Sequence, residues 1–253
     1  MTKQLKVLLV AIGLLSLTGV VLSTSRNSHA DEGNKCHNLP SESQLKNLLV
    51  SAQTSGGTGT VGGLFNGTRM WGAIVNRDGE ICVFTTSTSD PTQVWPGSQA
   101  IAKAKAYTAN AFSLDTFALS TARLYTFTQP GHSLWSLGQS NPFDPKFLAE
   151  PSGAGGGKNQ IAGGEIFFGG GVPLYNSSGQ IVGGLGVSGD TSCADHEIAK
   201  RVRNLANLNP PGGAFVDDIV YSPPDPASIF AHPKCFHTFR NGVSIGEETP
   251  ASY

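Results

Sequence analysis

Apolar residues along this chain follow two alternating patterns, one with helical spacing and one of short β-favouring runs. Residues 41–53 carry leucines at helical spacing, and Ser41 followed by Gln44 forms a capping-box pattern at their start. Two β-favouring runs follow at 71–75 and 80–86, separated by a four-residue turn sequence that ends in glycine. This part of the chain therefore predicts a helix and then an antiparallel hairpin.

The same order then recurs. Alanines at helical spacing predict a helix over 98–112, and a second hairpin is predicted from 165–175 and 180–187. A third helix should begin at 190–192 and run to 206, before two prolines stop it. Strands joined by four-residue turns must be antiparallel, whereas a doubly wound fold needs a crossover helix after each strand. The predicted fold class is α+β, an antiparallel sheet flanked by helices.

Two segments lie outside this pattern. Residues 119–160 are broken by prolines and glycines, and a long loop of this kind inside a compact domain is usually functional or mobile. Residues from about 210 to 253 form a Pro-rich C-terminal extension.

The first 30 residues have the order of a secretory signal peptide. Lys3 and Lys6 precede an apolar stretch, and a polar segment then closes on Ala30. An uncleaved membrane anchor is the alternative, but it needs about 20 apolar residues and this stretch is shorter. We expect cleavage after Ala30 and a periplasmic or extracellular protein with a single domain over 31–253.

Charge and motif content exclude several classes of function. Cleavage removes three positive charges and no acids, so the net charge falls from -1 to -4. A mildly acidic chain is a poor match for nucleic acid or for an anionic membrane surface. The sequence does not contain the His-Glu-x-x-His pattern of zinc proteases.

Four cysteines remain after cleavage, and an even number in an oxidising compartment favours two disulfides. Three connectivities are possible. We prefer Cys36 with Cys82 and Cys193 with Cys235, since these pairs would tie both terminal segments to the domain. The alternative is a zinc site built from Cys193-x-x-His196 and His232-x-x-Cys235.

Four segments carry a family resemblance. Residues 71–79, 101–105, 169–175 and 182–190, the last reading Val-Gly-Gly-Leu-Gly-Val-Ser-Gly-Asp, resemble the GlcG/HbpS-like family of haem-binding and haem-degrading proteins. The resemblance covers roughly residues 41–208. It implies a profilin-like α+β domain that often assembles into homo-oligomers, with haem or a related tetrapyrrole as a ligand in some members.

The glycine-rich run at 184–189 also matches the Gly-x-Gly-x-x-Gly fingerprint of dinucleotide-binding proteins. However, the strand before it is the second arm of a hairpin, which favours a structural role in which glycines let a helix pack closely on the strand. Backbone N–H groups from Ser188 to Ser192 could still bind an anion such as a haem propionate at the start of a helix.

Candidate haem contacts follow from the chemistry of iron, for which histidine is a common axial ligand. His132 lies in the long loop beside Trp135, and His196 follows the glycine-rich hairpin that contains Ser188. The sequence thus predicts an exported tetrapyrrole-binding protein that sequesters, senses or slowly degrades haem. Two alternatives are a non-catalytic oligomeric accessory protein of the cell envelope and an enzyme acting on a small oxidised metabolite.

Overall fold

The computed structural model describes residues 35–54, 59–150 and 156–250, so the predicted signal peptide lies outside the described residues. Within these described ranges the regular elements are three α-helices and six β-strands: α1 Glu42–Thr54, β1 Trp71–Asn76, β2 Ile81–Thr86, α2 Ser98–Ala111, β3 Gly171–Tyr175, β4 Ile181–Ser188, α3 Ser192–Leu205, β5 Thr238–Arg240 and β6 Val243–Gly246. Several short 3-10 turns lie between α2 and β3.

Both predicted hairpins are present and form one antiparallel sheet. Its strand order is β2-β1-β4-β3, so the hairpins join through their inner strands β1 and β4. Each hairpin turn ends in a glycine with positive φ, 87° at Gly79 and 77° at Gly179, a conformation that costs glycine little. The α+β prediction is confirmed, although β3 begins at Gly171 rather than at 165.

The helices cover both faces of the sheet. On one face α2 contributes Ala102 and Ala106 to a cluster with Trp71 and Val75. On the other face, α1 and α3 pack their apolar sides against the sheet in the largest core cluster, which includes Leu45, Leu49, Ile74, Leu185, Val187, Ile198 and Val202. The strands are therefore buried on both sides.

Two glycines of β4 let α2 lie directly on the sheet. A Cβ atom at Gly184 would be 2.2 Å from the Ala106 carbonyl oxygen, and one at Gly186 would be 1.9 Å from that of Ala102. Both distances are far shorter than a van der Waals contact. Because β4 is antiparallel to both neighbours, this glycine run has the predicted structural role and not the parallel setting of a dinucleotide site.

The segment after α3 packs on the outer, charged side of that helix. Arg203 is buried and binds Asp217 through two hydrogen bonds of 2.6 and 2.8 Å, while Lys200 lies 3.0 Å from each carboxylate oxygen of Asp218. Glu197 lies 2.9 Å from Lys200. The charges of this helix are thus paired and shielded from water. The β5–β6 hairpin lies further along the same segment.

The preferred cysteine pairing is the one found in the structure. Cys36 is bonded to Cys82 of β2, and Cys193 of α3 is bonded to Cys235. Among the residues that the structure describes, no helix is long and apolar enough to cross a bilayer.

Candidate functional site

The four residues predicted from sequence as candidate haem contacts lie in two different environments. His132 is exposed in a turn closed by its own N–H donating to the Gln129 carbonyl, and Trp135 has 58% of its surface exposed. His196 and Ser188 are buried, with 1% and 3% exposed. The structure therefore does not bring these four side chains together around one ligand.

The second disulfide lies beside a buried histidine, His232. Its Nε2 accepts a hydrogen bond of 3.2 Å from the Gly169 N–H, and its Nδ1 lies 2.6 Å from the Pro233 carbonyl, which assigns the proton to Nδ1. Burial lowers the pKa of His232 to about 4. Cys193 and Cys235 approach His232 as metal ligands would, but their sulfurs are bonded to each other and are not thiolates.

His196 occupies a separate buried position. Neither ring nitrogen has a hydrogen-bond partner among the described residues, and Nε2 lies 3.4 Å from an Asp218 carboxylate oxygen. Burial alone would raise the pKa of Asp218, but the His196 imidazole and the Lys200 ammonium outweigh it and hold that pKa well below its usual range. This side of α3 is a stabilising charge network closed to large ligands.

Backbone N–H groups at the start of α3 donate within the chain. Asp190 N–H donates to the Asp195 carboxylate at 2.9 Å, and Ala194 N–H donates to the Thr191 hydroxyl at 3.3 Å. Cys193 N–H lies 3.2 Å from the Cys235 sulfur. Three backbone donors near this helix terminus are therefore already used within the chain.

An open cleft of about 540 Å³ lies between the first half of α1 and the end of α3. Its volume is in the range of about 300–1,000 Å³ that is usual for small-molecule sites. Leucines form much of its wall, with amide and hydroxyl groups among them. The lining residues are His37, Asn38, Leu39, Pro40, Gln44, Asn47, Leu48, Ser51, Leu205, Ala206 and Leu208.

Among the described residues of that lining, His37 is the one ionisable side chain. It is exposed, and the segment that carries it is held at several points. Cys36 is disulfide-bonded to Cys82, Lys35 lies 3.1 Å from an Asp78 carboxylate oxygen, and the Leu39 N–H donates to the Cys36 carbonyl at 3.0 Å. The structure thus places an imidazole at a cleft on a fixed stretch of backbone.

No sequence pattern points to His37, because the segment 35–40 has no periodicity. One signal was available: a histidine directly after a cysteine that was expected to form a disulfide, a few residues before a helix with a leucine stripe. A disulfide fixes the position of its neighbours, so such a histidine has a defined location relative to the helix.

A comparison with protein families matches residues 64–203 to a model described as haem degrading protein HbpS-like. This range contains β1 to β4, α2 and nearly all of α3. The chain belongs to the HbpS-like family. The match confirms the predicted family, and the HbpS-like region is the central sheet with the two helices that follow its hairpins.

Solved structures give more distant likenesses to this HbpS-like chain. PduOC in complex with haem is 24% identical, with 68% of this chain and 94% of that chain covered and a TM-score of 0.46. A double mutant of HbpS from Streptomyces reticuli is 18% identical, with 66% and 86% covered and a TM-score of 0.42. Klebsiella pneumoniae protein ORFY is 21% identical, with 55% and 76% covered and a TM-score of 0.40. No curated protein matches significantly.

Proposed function

We propose that this protein binds haem outside the cytoplasm and sequesters or senses it, with slow degradation as a further activity. The observation that carries the proposal is the HbpS-like match over the sheet and its helices. The cleft supports it, since a leucine-lined wall with a few amides and an imidazole suits a flat apolar macrocycle that contains iron.

Export to the periplasm or the medium is part of the same proposal. Both cysteine pairs form disulfides, which persist in oxidising compartments and are rare in the cytosol. Residues 1–30 have the order of a signal peptide. Comparing the mass of the protein recovered from culture medium or periplasm with that of the full chain tests cleavage after Ala30.

We further propose self-association, for which exposed aromatic side chains give support. Trp95, Phe117 and Phe215 are each at least half exposed, and large apolar groups at a surface are candidates for contact between copies. Sedimentation of the purified chain with and without haem measures the subunit number. A monomer at all concentrations would contradict this part of the proposal.

The decisive experiment for haem binding is a titration followed by absorption. Purified protein at micromolar concentration should shift and sharpen the Soret band and saturate at a fixed ratio of haem to chain. A spectrum identical to that of haem in buffer would refute the proposal and favour the accessory-protein alternative. Loss of the bound-haem spectrum over time with a mild reductant and oxygen would indicate degradation as well as binding.

A further inference from the structure

We infer that a second cleft, formed by the segment after α3, binds a small organic carboxylate with an apolar body, and that Arg123 holds its carboxylate. This C-terminal cleft has a volume of about 620 Å³, within the range of about 300–1,000 Å³ that is usual for small-molecule sites. Its lining consists of Arg123 and of residues between 215 and 241, which follow the end of the family match at residue 203. Because only Arg123 belongs to the matched region, the site does not depend on the proposed haem binding.

Arg123 is half-buried, and two contacts hold its guanidinium in place. Its Nε donates a 2.9 Å hydrogen bond to the Asp218 carbonyl, and its Cζ lies 5.8 Å from the centroid of the Phe230 ring. Its two terminal nitrogens have no hydrogen-bond or ion-pair partner among the residues that the structure describes. The N–H groups of these two nitrogens match the two oxygens of a carboxylate, since arginine and carboxylate form parallel hydrogen bonds.

The other charged side chains of the lining are already paired. Asp225 accepts a 2.9 Å hydrogen bond from Arg240, and the two residues form an ion pair. Each carboxylate oxygen of Asp218 lies 3.0 Å from the Lys200 ammonium. Within the described lining, Arg123 is therefore the charged group without a charged partner. An anion that binds here neutralises it without breaking an existing ion pair.

The apolar part of the lining favours an organic anion over an inorganic one. Phe215 has 57% of its surface exposed, and Pro226 and Ala227 are also exposed. The carbon atoms of a ligand would remove this surface from water, which stabilises the complex. Inorganic phosphate would pair with the guanidinium but leave the apolar wall hydrated. The lining thus suits a monocarboxylate that carries a few carbon atoms.

NMR titration with hexanoate tests the assignment, with hexanamide as the uncharged probe of similar shape. Hexanoate should bind the wild type at least about tenfold more tightly than hexanamide, because a charge-assisted hydrogen-bond pair contributes that factor or more. Arg123→Gln should raise the Kd for hexanoate by about the same factor. The matched control is Arg69→Gln, which removes an exposed arginine outside the cleft and should leave the Kd unchanged. Circular dichroism checks that both variants are folded.

A second variant tests the position of the ligand without changing Arg123. Ala227→Trp places a large side chain at an exposed position of the cleft wall, so it should fill the space and weaken hexanoate binding. The assignment is overturned if the wild type does not bind hexanoate, or if it binds hexanamide or inorganic phosphate equally well. An unchanged Kd in Arg123→Gln or Ala227→Trp also overturns it, as does an equal loss in Arg69→Gln. Because haem is absent from these titrations, their outcome leaves the proposed haem binding to its own test.

Discussion

Acid should destabilise this protein through one buried histidine, His232. Its Nε2 accepts from the Gly169 N–H, so protonation would set two N–H groups against each other and place a charge in a buried site. Burial lowers the pKa from 6.5 to about 4, and the nearby His196 and Lys105 act in the same direction. The Tyr125 ring packs against His232, which is only 3% exposed, so little water can reach the imidazole.

The sign and size of the effect follow from proton linkage. Between pH 4 and 6.5 the unfolded chain binds a proton at this histidine and the folded chain does not, so stability rises with pH across that window. The stabilising contribution is complete above about pH 6.5 and is lost as the pH falls toward 4. At about 1.36 kcal/mol for each pKa unit, the loss at pH 4 is about 3 kcal/mol.

Urea unfolding at several pH values between 4 and 7 measures this loss, with His232→Gln as the comparison. Glutamine does not titrate, and its amide oxygen can accept from Gly169. Burial raises the pKa of Asp195 to about 6, so this residue makes stability fall as the pH rises in the same window. Its contribution is present in both proteins and cancels in the difference. The wild type should lose about 3 kcal/mol more than the variant on going from pH 7 to 4. Parallel curves for the two proteins would refute the reasoning.

Two further substitutions test the packing. Gly186→Ala should lower the free energy of unfolding in urea by about 1–3 kcal/mol or more, because its Cβ would overlap the backbone of α2; an unchanged midpoint would show that the helix can move away. Asp217→Ala should lower the free energy of unfolding by about 3–5 kcal/mol, since it leaves the buried Arg203 guanidinium without its carboxylate. Asp225→Ala, which removes a partly exposed ion pair, should cost less, and thermal unfolding of both variants compares the two losses. Equal losses in those two variants would contradict the buried-charge argument.

The sheet could be predicted from sequence because its signals are local. Alternating apolar runs and glycines at two four-residue turns specify the hairpins, and those turns exclude a parallel arrangement. The role of Gly184 and Gly186 was also predictable, since a glycine run in a strand that precedes a helix indicates a close backbone approach.

The position of a ligand depends on residues far apart in sequence, which local patterns do not link. The cleft joins the segment around His37 to residues just after α3, and only the folded core brings them together. The burial of His196 could not be predicted either, because the charged residues on the outer side of its helix favour a solvent-exposed surface. The partners that bury this side, Asp217 and Asp218, come from a segment without periodic pattern.

The pairing of α3 with the segment after it has a consequence for the order in which the molecule matures. Arg203 acquires its carboxylate from Asp217, Lys200 gains that of Asp218 in addition to Glu197 on its own helix, and the bond from Cys193 joins a residue 42 positions later. A nascent chain stopped just after this helix would therefore leave the Arg203 guanidinium hydrated and the Cys193 thiol unpaired. Closure waits for synthesis of the segment from the end of α3 to Cys235, so this part of the polypeptide stays open for longer.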